Sequence, residues 1–62
     1  MDQNKIDDAV KGCLQFAAKQ RSAVEAVGDF VAMLECLPDW TAEELAEVKR
    51  RALERLAKLS RR

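Results

Sequence analysis

From Ile6 onward the apolar positions fall at Ile6, Val10, Cys13 and Ala17, then at Val24, Val27, Val31 and Leu34. The steps are of three or four residues, and Gln20 fills the one gap. A heptad seam therefore runs unbroken along this part of the chain. Ala9, Phe16, Ala23, Phe30 and Leu37 line one flank of the seam. That makes the stripe as wide as a globular bundle helix needs, wider than the seam of a two-stranded coil. Leu37 precedes the only proline, Pro38, and a residue before proline is pushed out of the α region. The pattern predicts a first helix over about residues 4–37.

The restart is marked by Thr41 and Glu44. They have the spacing of a capping box, in which a hydroxyl accepts from the third amide and a carboxylate reaches back to the cap amide. A second helix is predicted over about residues 42–61, with Leu45, Val48, Ala52, Leu56 and Leu59 on one face. Acidic Glu43, Glu44 and Glu47 open it and basic Arg55, Lys58, Arg61 and Arg62 close it, both matching the helix dipole. Trp40 precedes the cap and Leu45 is the fourth helical residue, the two positions of a hydrophobic staple. An uncovered face of the indole would also make Trp40 a partner anchor.

The expected fold is all-α, an antiparallel helical hairpin whose two arms differ in length. A first helix from residue 4 to 37 spans about 50 Å and the second about 30 Å, at ~1.5 Å per residue. The second helix runs out near Gln20. Ile6, Val10, Cys13, Leu14, Phe16 and Ala17 then have no cover within the chain, and exposed apolar area costs about 25 cal/mol per Å². A second copy or a larger protein is expected to cover them, as when two hairpins pair into a helical bundle. The alternative is a three-helix bundle with a break near residues 19–22, where Ser22 and Glu25 have the spacing of a second capping box. The lack of Gly or Pro there, and a heptad phase that continues unchanged, favour the continuous helix.

Length and composition agree with a single helical domain over residues 1–62. The chain has 62 residues and only two glycines, and its abundant Ala, Leu, Glu, Lys and Arg are helix formers. A chain this short buries only about 60% of its unfolded surface, so a partner would help it. Lys and Arg number 11, as do Asp and Glu. Zero net charge gives no global pull toward nucleic acid or anionic membrane. The balance is uneven along the chain: residues 1–40 carry four bases against seven acids, and residues 41–62 carry seven against four.

Candidate chemistry is sparse. Histidine and tyrosine are absent, which removes the commonest general acid–base group and the nucleophile–histidine pairs. Asp7 and Asp8 are adjacent and, on a helix, point about 100° apart, so they cannot share a site. No glycine-rich phosphate loop or EF-hand pattern occurs. Cys13 and Cys36, without histidine or a C-x-x-C pair, do not make a zinc site, and are expected as buried free thiols. No cofactor, metal or catalytic residue is expected, and the chain is not read as an enzyme. The opening MDQNKIDD is polar and acidic, unlike a secretory leader, so a cytoplasmic protein is expected.

Two functions follow. The first is protein–protein association, as a homodimer or as a subunit, adaptor or inhibitor of a larger protein, through Ile6, Val10, Cys13, Leu14, Phe16, Ala17 and Trp40. In size and expected shape the chain is similar to small plasmid- and phage-type helical-hairpin dimers that regulate by binding, a likeness that no residue motif carries. The second is a nucleic-acid-binding regulator using Arg50, Arg51, Arg55, Lys58, Arg61 and Arg62, opposite Leu45 and Leu56, as a phosphate-contacting stripe. Glu43, Glu47 and Glu54 share that side, with Glu47–Arg51 and Glu54–Lys58 at the favoured i,i+4 order. No aromatic is there to stack on bases, so a solvated, ion-paired face is the simpler reading.

Overall fold

Three helices, not two, build the described residues. The computed structural model describes residues 2–60, with α1 at Gln3–Ala18, α2 at Ala23–Glu35 and α3 at Ala42–Ser60. Each helix starts on a side-chain cap. The Asp2 carboxylate accepts from the Lys5 amide at 3.2 Å, and the Ser22 hydroxyl accepts from the Glu25 amide at 3.3 Å. At α3 the box is reciprocal: the Glu44 amide donates to Thr41 Oγ1 at 3.2 Å and the Thr41 amide donates to Glu44 Oε1 at 3.0 Å. Each such cap satisfies a donor that the helix itself leaves open.

The continuous first helix is corrected by the break at residues 19–22. Helix α1 ends by tightening its last turn, with the Lys19 amide donating to the Phe16 carbonyl at 3.2 Å and the Gln20 amide to that of Ala17 at 3.1 Å. The chain then leaves through Lys19 at φ −93°, ψ −4° and re-enters helix from Ser22 at φ −112°, ψ 106°. Neither conformation needs glycine or proline. The unbroken heptad phase is coincidental at Val24, which the seam placed inside and which is 64% exposed. Helix α2 instead turns Ala26, Val27, Val31 and Leu34 inward.

Folding back at Ser22 lets each helix pack against both of the others. The core takes Ile6, Ala9, Val10, Cys13 and Ala17 from α1, four residues from α2, and Leu45, Val48 and Ala52 from α3. Ile6, Cys13, Val27 and Val48 are its most enclosed side chains. Helix α2 runs antiparallel to its neighbours, so α1 and α3 run in the same direction. Ion pairs record that register: Lys5 meets Glu44 at 3.3 Å and Asp7 meets Arg51 at 3.1 Å.

Both thiols are free, and Cys36 departs from expectation. Cys13 is buried, and burial pushes its thiol above the usual value of 9.0. Cys36 caps the end of α2 and is exposed.

Candidate functional site

The surface proposed for a partner is mostly inside the bundle. Ile6 is 0% exposed, and Val10, Cys13 and Ala17 are buried by α2 and α3 of the same chain. They are core, because the fold-back supplies the cover that a single long helix would have lacked. Phe16 stays 37% exposed at the α1–α2 edge, its ring 6.1 Å from that of Phe30 and tilted by 40°. Leu14 is partly buried and faces α3, where it lines a groove of about 400 Å³ with Arg55, Lys58 and Leu59. Trp40 is half-buried against the core, at the opposite end of the bundle from Leu14.

A small polar cluster holds Trp40 in place, and sequence reasoning missed its centre, Lys5. The Lys5 ammonium lies 4.3 Å from the indole centroid, donates to the Asp39 carbonyl and pairs with the Glu44 carboxylate at 3.3 Å. Cation–π, ion-pair and carbonyl contacts thus converge on one side chain. The Thr41 amide and the Lys5 ammonium hold the Glu44 carboxyl below its usual 4.5. Nothing in the local sequence signals this, because Lys5 and Glu44 are 39 residues apart.

The basic residues of α3 divide into two groups. Arg50 bridges Glu47 and Glu54, the latter at 2.6 Å. Arg51 bonds Glu47 at 2.7 Å and reaches across to Asp7 at 3.1 Å and Gln3 at 2.7 Å. Glu54 takes Arg50 where the sequence suggested Lys58. The two guanidinium groups hold the Glu47 carboxyl below its usual range. Among the described residues Arg55 and Lys58 are exposed and enter no ion pair. Arg61 and Arg62 lie outside the described residues.

Two surfaces of contrasting chemistry emerge. Along the α1–α3 junction, one groove is lined by Asp7, Val10, Lys11, Arg51, Glu54, Arg55 and Lys58, and the Leu14–Leu59 groove continues it through Arg55 and Lys58. Its acids Asp7 and Glu54 are already paired, which leaves Lys11, Arg55 and Lys58 to set its sign. The outer face of α2 is the reverse. Val24 and Met33 are more than half exposed there, and Glu25 and Asp29 carry its negative charge, with Arg21 beside them at its start; Glu35 turns toward α3 and Lys49. Residues 22–48 carry seven acids and no base, while residues 49–62 carry seven bases and one acid. That run of uniform sign was the available signal for these surfaces.

None of the described helices is long and apolar enough to cross a membrane. The sequence matches no protein-family model, no curated protein and no solved structure.

Proposed function

We propose that this chain works by protein–protein association, as a small helical interaction module without catalytic chemistry of its own. The observation that carries this reading is the outer surface left over once the core is complete. Val24, Met33, Leu37 and Leu59 are between 48% and 64% exposed, whereas the twelve buried side chains among the described residues are all apolar. Large apolar side chains left exposed and rimmed by polar groups are a mark of protein-interaction surfaces when they gather into patches. The nucleic-acid reading has less support, since Arg50 and Arg51 spend their donors on Glu47, Glu54, Asp7 and Gln3.

The test compares the wild-type chain with a variant in which Val24, Met33, Leu37 and Leu59 are changed to Gln. The variant is expected to keep its helix signal and to lose protein binding, whether to itself in solution or to proteins captured from a lysate. Binding that survives in this variant, or absence of any protein binding by the wild type, would overturn the reading. Steeply salt-dependent binding to random-sequence DNA or RNA would move the function to Arg55 and Lys58.

A further inference from the structure

We infer that the basic α1–α3 groove takes the acidic outer face of α2 from a second copy of the chain, so that copies join head to tail. This rests on the association reading above and adds the occupant. The argument begins with spacing. Glu25, Asp29 and Met33 are four residues apart in turn, so they form one stripe on the outer face of α2. From Glu25 to Met33 the stripe rises about 12 Å. From Arg51 to Leu59 the groove wall on α3 rises the same distance.

The chemistry along the two lines corresponds. Lys11 and Arg55 line the groove at one level, and Leu14, Lys58 and Leu59 line it together about one turn further on. A copy of α2 laid parallel to α3 with Met33 against the two leucines sets Asp29 against Lys11 and Arg55, and Glu25 one turn earlier, level with Arg51. Lys11, Arg55 and Lys58 have no ion pair within their own chain among the described residues, so Asp29 displaces no existing bridge, while Arg51 beside Glu25 already holds Glu47 and Asp7. Arg21 heads the stripe, in one shallow pocket with Glu25 and Asp29, and the register sets it level with Glu47 of α3; no further base occurs between residues 22 and 48.

The geometry also fixes the symmetry. No α2 residue lines the groove, since the α1–α3 junction faces away from α2 in a three-helix bundle. Stripe and groove therefore lie on opposite sides of one copy. A two-fold dimer cannot satisfy both, and a heterologous contact of this kind continues into rings or open chains. The assembly expected is not a closed dimer but one whose mass grows with concentration.

The test is a charge exchange followed by sedimentation velocity under reducing conditions, so that exposed Cys36 cannot cross-link copies. The groove variant carries Arg55→Glu and Lys58→Glu, and the stripe variant carries Glu25→Lys and Asp29→Lys. Wild type should self-associate at low salt, and high salt should weaken it by roughly tenfold as exposed ion pairs are screened. Each variant alone should remain monomeric, because it opposes like charges. An equal mixture of the two should assemble again. Should Glu25→Lys disturb the start of α2 and cost the fold, Asp29→Lys alone with Arg55→Glu repeats the exchange.

Wild type that stays monomeric at high concentration and low salt overturns the inference, as does a mixture that fails to recover association. If either occurs while lysate proteins still bind through Val24, Met33, Leu37 and Leu59, the copy is the wrong occupant and the association reading stands. If neither self-association nor capture is seen, both fall.

Discussion

Replacing Ile6 by Ala separates the three-helix bundle from a chain that exposes its first helix. Ile6 is 0% exposed and sits in the fully enclosed part of the core with Cys13, Val27 and Val48. Removing a buried isoleucine down to alanine typically costs about 2–5 kcal/mol, transfer and cavity together. Ile6 lies near the start of α1, where the helix end can settle into part of the space, so about 2–3 kcal/mol is expected. A domain of this length has roughly 3–9 kcal/mol in total, at about 0.05–0.15 kcal/mol per residue. The change therefore removes a large share of it. At about 4–8 °C per kcal/mol for a small domain, the midpoint should fall by roughly 10–20 °C.

The assay is thermal melting by far-UV dichroism at high salt, run at widely separated protein concentrations. Phe16→Ala serves as the companion, since Phe16 is 37% exposed and packs on Phe30 from one side; about 1 kcal/mol is expected, on the scale of an aromatic pair. In the bundle, the loss at Ile6 is the larger and is independent of concentration. A loss below ~1 kcal/mol at Ile6, or one that disappears as the protein is concentrated, would return Ile6 to an interface between chains.

Ser22→Ala removes the cap at the start of α2 and should cost about 0.5–2 kcal/mol with helix content unchanged; greater stability would mean that the turn at 19–22 is not held by Ser22. Gly28→Ala should stabilise by about 0.8–1.0 kcal/mol, because an added Cβ meets nothing within 4 Å; a destabilised monomer in melting experiments would contradict that. Cys36 should react with a thiol reagent in the native protein while Cys13 reacts only on unfolding, given their exposure and the raised Cys13 thiol; equal native rates would refute the burial of Cys13. Glu44 and Glu47 are held below 4.5 when folded. Their contribution is therefore present above pH ~4.5 and lost as pH falls through the folded values. The midpoint should drop on acidification below that pH, less steeply in Glu44→Gln/Glu47→Gln, and an identical slope in that variant would remove the assignment.

The caps of α2 and α3 and the all-α class were legible in the sequence, because Ser22, Thr41 and Glu44 act within one turn of their own position, whereas the Asp2 cap of α1 was not read there. The turn at 19–22 was harder. Proline and glycine mark turns that need special backbone geometry, and this one needs none. A period of three and four residues also cannot distinguish one helix from two that happen to resume in step, and only the exposure of Val24 breaks the tie. Interface residues failed for the same reason: Ile6, Val10, Cys13 and Ala17 are apolar because they are core, and which protein supplies the cover is a tertiary fact. Lys5 could not be found locally, since its partners Asp39 and Glu44 come from the far end of the chain.

Among the described residues no φ is positive and no peptide bond is cis. Every backbone position there can be occupied by an ordinary L-residue, and the fold is specified by which side chains are apolar and which begin a helix. Such requirements are met by many residues at each site: Ile, Leu or Val in the core, Ser, Thr or Asp at a cap. Sequences sharing this architecture can therefore diverge until few identities remain, with no fixed glycine or proline to betray descent. Kinship for a chain of this kind is carried by its pattern of burial and caps, and a search keyed to invariant residues would pass it by.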